Sequence, residues 1–329
     1  MLMTKPISVT TLDTFARLWL HECSRVFNDR LINDQDRSLF RSTVADLLKS
    51  KFKVNWNMKE ADPFSGPTQV IFGFLLRLDA EEQLYEDIAD KKKLFKTLED
   101  KLMDYNITCS SQKMDLVFFD DAIAHLCRVS RILRQPRGNA MLIGVSGCGK
   151  QSLTRLGSFM LECKCFQIKL SKSYKPTHFR EDIKVKMLDA GCDGTQCTFL
   201  MTDTQIMYES FLEDINNILN TGEITNLYGK EDFDRMYGSL TKVNQGLKRP
   251  ETKDGIYQTF IERVRDNFHI ILCMSPVGDT LRIRCRKFPS LVTCCTLDWF
   301  DSWPEEALLS VSQRFLTHVQ DTLANTKEE

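Results

Sequence analysis

A chain of 329 residues with 44 Lys+Arg against 45 Asp+Glu carries a formal net charge of −1, which excludes a generally basic nucleic-acid binder and an acidic disordered tail. Hydrophobic residues at 42% and charged residues at 27% match ordinary globular usage, enough apolar mass for one large core or two smaller ones. No run approaches the roughly 18 to 20 apolar residues of a membrane span, and residues 1–6 lead into no apolar signal stretch, so an intracellular protein with no membrane contact is expected.

From 12 to about 48 the pattern is helical. Phe15, Leu18, Trp19, Cys23, Val26 and Phe27 recur at three- and four-residue spacing, and a second helix carries Leu39, Val44, Leu47 and Leu48. Asn33 and Asp34 between them suit a turn and a helix N-cap, so the segment reads as a helical hairpin packed on something else. Asp62, Pro63, Phe64, Ser65, Gly66 and Pro67 are dense in turn formers and mark a boundary. An apolar stretch over 70–78 and a charged, helix-prone stretch over 81–104 follow. Next comes 118–134, where Ala122, Ile123, Leu126, Val129, Ile132 and Leu133 make one apolar helical face that Pro136 and Gly138 end.

At Asn139 the texture changes to short apolar runs alternating with amphipathic helices, the signature of a parallel sheet with crossover helices. Strands are expected at 140–143, 165–169, 198–201, 270–274 and 291–297, and helices at 150–162, 177–190, 211–220 and 257–266. The fold class is α/β: a three-layer sandwich around a five-stranded parallel sheet, preceded by an α-helical subdomain. The 12 cysteines include no CxxC pair, so most are expected as small buried hydrophobes rather than a disulfide framework or a zinc site. The five histidines are dispersed and form no catalytic or metal cluster.

The chemistry sits at Gly144, Val145, Ser146, Gly147, Cys148, Gly149 and Lys150, which fit GxxxxGK. The apolar run Ala140, Met141, Leu142, Ile143 leads in, and a helix with Leu153, Leu156 and Phe159 leads out, the setting a phosphate loop needs. Glycines let the backbone curl so that successive N–H groups face a polyphosphate; the helix N-terminus adds partial positive charge and Lys150 neutralises phosphate charge. The pattern departs at the next residue, where Gln151 replaces the Ser or Thr that holds Mg²⁺ and Ser152 comes one position late. A Gln carbonyl approaches the metal through water at best, with weaker coordination.

The second acidic site departs too. Strand 198–201 runs into Thr202, Asp203 and Thr204, so one carboxylate is present where an Asp for Mg²⁺ and a neighbouring Glu to orient water are usual. Either Asp203 takes the metal position and Thr204 stands where the base should be, or Asp203 takes the base position and Thr202 has replaced the metal ligand. Binding is better preserved than hydrolysis in both cases.

With the loop, residues 199–205, the helix Phe211-Leu212-Glu213-Asp214-Ile215-Asn216-Asn217-Ile218-Leu219-Asn220 and the run Cys273-Met274-Ser275-Pro276-Val277-Gly278-Asp279, the chain resembles a dynein heavy chain, specifically the fourth AAA+ module of an axonemal one, from about Phe15 to Phe315. The resemblance implies ATP or ADP, with Mg²⁺, at Gly144, Val145, Ser146, Gly147, Cys148, Gly149, Lys150, Gln151 and Ser152. It matches Asp203 to the strand-end acidic motif and Ser275 to the sensor-one neighbourhood. Arg284, five residues before Pro289, best matches the arginine that reaches a neighbouring module's nucleotide. Arg282 and Arg286 lie in the same run, and the alternative is a basic surface turn without nucleic-acid contact. Gln151 and Asp203 are the metal-side candidates, Asp203 and Arg284 the catalytic ones.

The same resemblance implies a division into a helical small subdomain of the preceding module (1–60), a linker and helical lead-in (61–110), a large P-loop domain (111–303) and a C-terminal helix (304–329). Leu31, Ile32, Asn33 and Asp34 match a stretch that closes the preceding small subdomain. Partners are expected to be other AAA+ modules and dynein chains in a ciliary axoneme, with microtubules reached only through a stalk that is not encoded here, as in a fragment or short isoform. The alternatives are a non-enzymatic structural or interaction module and an autonomous P-loop kinase or GTPase, the latter weakened by Gln151 and the single strand-end carboxylate.

Overall fold

A computed structural model describes residues 9–54, 62–64, 68–78, 83–301, 303, 305, 307–313 and 316. Helix α1 (Leu12–Cys23) starts at Thr11, whose hydroxyl accepts from the Thr14 amide at 3.1 Å. Helix α2 (Asp34–Leu47) starts at Asn33, whose side-chain oxygen accepts from the Asp36 amide at 2.7 Å, as its turn chemistry predicts. Both helices widen into a single π turn at their ends, Ser24–Asn28 and Leu48–Phe52. Leu18, Leu20, Val44 and Leu48 pack on Phe64, Phe72, Phe74 and Tyr85. The partner of the hairpin is therefore the apolar stretch over 70–78, whose short strand β1 (Phe72–Gly73) pairs antiparallel with β2 (Glu86–Asp87). Of the boundary segment, Phe64 is buried in this cluster; Ser65, Gly66 and Pro67 lie outside the described residues.

Helix α3 is Lys91–Thr108, later than the helix-prone stretch over 81–104, because Asp90 caps it by accepting from the Lys93 amide at 3.0 Å. Its buried stripe is Leu94, Leu98, Leu102 and Tyr105. Helix α4 (Asp120–Arg134) carries two aspartates in its first turn and two arginines in its last, matching the helix dipole at both ends.

The strands β3 (Ala140–Gly144), β4 (Lys164–Phe166), β5 (Cys197–Thr202), β6 (Phe268–Met274) and β7 (Thr296–Phe300) form one parallel sheet in the order β4-β5-β6-β3-β7. Their side chains alternate between two cores, as a strand's period of two requires. Met141, Ile143, Phe199, Met201, Ile270 and Leu272 face α6 (Pro176–Cys192), α7 (Glu209–Thr221) and α9 (Lys253–Asn267). Leu142, Leu200, Ile271 and Cys273 face α3, α4 and α5 (Lys150–Met160). Burying one such aliphatic or aromatic side chain contributes about 1.5 to 3 kcal/mol, so two cores on one sheet hold the three layers together. Seven of the twelve cysteines are buried and none is in a disulfide, and burial pushes Cys127 and Cys273 up to about 12.

Two strands are displaced from their expected places. The run over 165–169 is β4 at Lys164–Phe166, and Gln167 leaves the sheet to bond side chains. The run over 291–297 divides: Pro289 starts a short helix, α11 (Ser290–Thr293), whose Leu291 is buried, and β7 begins only at Thr296. Helix α8 (Lys230–Gly246) was not expected; it packs through Met236, Leu240 and Asn244, one buried position per turn, in an otherwise polar stretch. Helix α10 (Thr280–Lys287) buries no residue. Among the described residues no helix is long and apolar enough to cross a membrane.

Candidate nucleotide site

The sheet brings the expected loop to its carboxyl edge, where β3 ends and α5 begins. Gly147 (φ +84) and Gly149 (φ +89) adopt left-handed backbone that side-chain-bearing residues rarely take, and a Cβ on Gly147 would meet nothing within 4 Å. The outer curve of the loop is therefore open. Gly144 is needed for the opposite reason: a Cβ there would lie 2.6 Å from Cβ of Phe300 on β7.

Lys150, the first residue of α5, folds back under the loop and is buried. Its ammonium donates to the carbonyls of Gly144 at 2.6 Å and Val145 at 2.7 Å, and to the thiol of Cys148 at 3.3 Å. Two of its three N–H groups thus brace the backbone curl. The third rests on sulfur, a weak acceptor that an anionic oxygen would displace readily. No side chain caps the start of α5, so its first backbone N–H groups are left for an anion.

Gly147, Cys148, Gly149 and Ser152 line one wall of a cavity of about 420 Å³, within the size range of ligand pockets. Leu116 and Phe119 ahead of α4, Trp299 and Trp303 around the end of β7, and Arg37 and Phe64 of the N-terminal hairpin line the remainder. Val145 and Ser146 are exposed at the loop's crest and Gln151 is exposed beside it. The curl, the free amides, the lysine and the room suit the phosphate tail and body of a nucleotide.

The same cavity is also lined by a row of charge, Asp29, His125, Arg128 and Asp298, that no local motif announces. Asp298 on β7 accepts from Arg128 at 2.7 Å and pairs with His125 at 2.8 Å. His125 stacks on Phe300 at 3.8 Å, the residue whose Cβ and carbonyl leave no room for a side chain at Gly144. Arg128 also lies 3.7 Å from Asp29, which pairs with Arg25 at 2.7 Å, tying the N-terminal hairpin to the sheet. Burial pushes the Asp298 carboxyl up, but His125 and Arg128 outweigh it and hold Asp298 down to about 2. Glu22, paired with Arg131 at 2.7 Å and bonded by the Tyr85 hydroxyl, is likewise held at about 2 against the effect of burial.

Across the carboxyl edge, the register of β5 and β6 sets Thr202 beside Cys273 and so brings Asp203 and Ser275 together. Asp203 stands one residue past the strand, and both its oxygens are engaged: Oδ1 accepts from the Thr204 amide at 2.8 Å and Oδ2 from the Ser275 amide at 3.1 Å. Thr202 is buried, with its hydroxyl bonded to Gln205 at 3.1 Å and to Thr204 at 2.9 Å. Gln151 accepts from Gln167 at 3.4 Å. A directly bound Mg²⁺ wants near-octahedral oxygen ligands; Gln151 offers a neutral carbonyl that already accepts from Gln167, Thr202 is buried with its hydroxyl donating to Gln205, and Asp203 is one carboxylate whose oxygens each accept a backbone N–H, so this donor set fits one poorly.

Arg284 is not brought to this site. It is half-buried on α10, where Arg282 pairs with Asp279 at 2.8 Å and Lys287 pairs with Glu209. Gln167 and Gln205 are the polar groups that sequence reading missed. A Gln carries no motif of its own, although its place directly after Asp203 and Thr204 was a signal for Gln205.

Residues 114–329 match the family described as P-loop containing dynein motor region D4, and residues 1–59 match the AAA+ lid domain. Dynein axonemal heavy chain 1 of Mus musculus is 44% identical over 321 residues, covering 98% of this chain and 7% of that protein. Dynein axonemal heavy chain 6 of Homo sapiens is 44% identical over 316 residues, covering 95% of this chain and 8% of that protein. The dynein-1-beta heavy chain of the flagellar inner arm I1 complex of Chlamydomonas reinhardtii is 42% identical over 304 residues, covering 92% of this chain and 7% of that protein. The chain thus spans only 7% to 8% of the length of these relatives. With a five-stranded parallel sheet, a phosphate loop at its carboxyl edge and a helical lid segment ahead of it, the chain belongs to the dynein heavy-chain family of AAA+ P-loop proteins, as its motor region D4.

Proposed function

We propose that this chain is a nucleotide-holding AAA+ module of an axonemal dynein heavy chain, retaining ATP or ADP at Gly144, Val145, Ser146, Gly147, Cys148, Gly149, Lys150, Gln151 and Ser152 with little hydrolysis of its own. One observation carries the reading: Lys150 braces a loop whose two left-handed glycines leave its outer amides open at an uncapped helix start. Asp203 is the single carboxylate at the strand end. Its place one residue beyond β5 supports the base position rather than the metal position, with Thr202 where the metal ligand would be. Mg²⁺ accompanying the nucleotide would meet Asp203 and Gln151 only through water. Ser275, whose backbone N–H donates to Asp203 at the end of β6, takes the sensor-one role in this reading. Arg284, remote from this loop, serves the nucleotide of a neighbouring module.

In this reading residues 1–60 are the small helical subdomain of the preceding module, 61–110 a linker and lead-in, 111–303 the large domain and 304–329 the first helix of its own small subdomain. The family matches over 1–59 and 114–329 support the end of the first part and the start of the large domain. The names of the relatives support work in the cytoskeleton of the ciliary axoneme, beside other dynein modules and chains, with microtubules engaged by parts of a heavy chain beyond this segment. Calorimetric titration with ADP tests the site. Lys150→Ala is expected to weaken binding at least tenfold, about 1.4 kcal/mol, and equal affinity of wild type and variant would remove the proposed site.

A further inference from the structure

Three carboxamides at the carboxyl edge form a chain whose orientation is set by fixed partners at two of its members, Gln205 and Gln167. At one end the Oε1 of Gln205 accepts from the Thr202 backbone N–H at 3.0 Å, while its Nε2 donates to the Ile168 carbonyl at 2.7 Å. A backbone N–H can only donate and a backbone carbonyl can only accept, so Gln205 has one possible orientation. Next along, Nε2 of Gln167 donates to Oε1 of Gln205 at 2.9 Å, and Oε1 of Gln167 accepts from Nη2 of Arg155 at 2.6 Å. Arginine has no acceptor, so Gln167 is fixed as well. Its Nε2 also reaches Oε1 of Gln151 at 3.4 Å. Gln151 therefore has its oxygen turned toward β4 and its NH₂ group left over, on an exposed side chain in the first turn of α5 directly after Lys150.

Resting on the nucleotide reading above, we infer that Gln151 meets the nucleotide's phosphates as an N–H donor rather than as a metal ligand, with Gln167 as its positioning residue, so that this site holds its nucleotide without depending on a divalent cation. The chemistry is an exchange of roles. A hydroxyl at this position supplies an oxygen to Mg²⁺, and the cation then offsets phosphate charge. A carboxamide with its oxygen occupied offers two N–H groups that bond phosphate oxygens directly, alongside Lys150 and the loop amides. The strand end agrees, because Thr202 is buried with its hydroxyl donating to Gln205, and Asp203 is the single carboxylate there, each oxygen accepting a backbone N–H.

The test is titration of the intact chain with ADP by calorimetry, once in excess EDTA and once in excess Mg²⁺. Wild type is expected to bind with affinities within about threefold of each other in the two buffers. Gln151→Thr, which removes the donor and supplies the hydroxyl a metal wants, is expected to weaken binding in EDTA by about tenfold and to recover in Mg²⁺. Gln167→Leu, which leaves Gln151 in place but frees its amide to turn, is expected to raise the Mg²⁺ dependence in the same direction; a purely structural role for Gln167 would shift both buffers equally. A wild-type affinity that falls about tenfold or more in EDTA overturns the inference while leaving the nucleotide site standing. Gln151→Thr without effect in EDTA also overturns it, and absence of ADP binding in both buffers removes the nucleotide reading and the inference together.

Discussion

The phosphate-loop wall and the strand-end wall, which lie along the same carboxyl edge of the sheet, are built from different materials. The loop wall keeps its glycines in left-handed backbone, its lysine under the curl and an uncapped helix start, all of them features that attract a polyphosphate. The strand-end wall presents a threonine, one doubly engaged carboxylate and a chain of glutamines, features that bond to one another and leave a single carboxylate where a metal and a water would each want one. Binding needs only the first wall, whereas phosphoryl transfer needs both in register, since its catalysis is positioning and charge stabilisation around a metal and a nucleophile. A loop can therefore remain intact where turnover does not.

The largest expected effect lies in the charged lining of the cavity. Removing the carboxylate in Asp298→Ala strands half-buried Arg128 and buried His125, and denaturant titration is expected to show a loss of about 3 to 5 kcal/mol. The same carboxylate predicts the sign of an acid transition. Its folded value of about 2 lies below its ordinary 3.8, as the folded value of Glu22, also about 2, lies below 4.5. Stability from both is complete above the ordinary values and is lost as pH falls from about 4.5 toward about 2. In Asp298→Ala that decline is expected to be shallower; an unchanged decline would show that the pairing of Asp298 with His125 and Arg128 does not carry the acid transition.

A smaller effect is expected at Gly144→Ala, whose new methyl would press on Phe300 from 2.6 Å. Thermal or denaturant unfolding is expected to register about 1 to 3 kcal/mol of overpacking, together with weaker ADP binding as the loop shifts. Lost stability with unchanged binding would separate the β7 contact from the loop. The smallest expected effect is Arg284→Ala, which leaves ADP affinity of this chain within about twofold because α10 stands apart from the cavity; a larger loss would place Arg284 at its own module's nucleotide.

The loop wall was legible in the sequence because everything that defines it is local: an apolar strand, glycines at fixed spacing and an amphipathic helix within one short stretch. The strand-end wall was half legible. The lone Asp203 and the replacement at Gln151 could be read, but the bonds joining Gln151, Gln167 and Gln205 form only when β4 and β5 pair in the sheet. The His125–Asp298 pair spans 173 residues and had no local signature. Helix α8 was missed because its buried positions, Met236, Leu240 and Asn244, are too sparse to show as an apolar face. Strand β7 was set too early because the apolar Leu291 and Val292 belong to a helical turn that starts at Pro289, a distinction that a short apolar run does not carry.

The contrast between the two walls is tested most directly by a single-turnover experiment, in which the intact protein in excess is mixed with labelled ATP, separated from free nucleotide, and the bound label followed with time. ATP should be recovered bound and largely unhydrolysed over many minutes, at a rate far below the order of 1 s⁻¹ usual for enzymes. Bound ATP converted to ADP at about 1 s⁻¹ or faster would contradict a strand-end wall unfit for catalysis, and no bound nucleotide at all would contradict the loop wall.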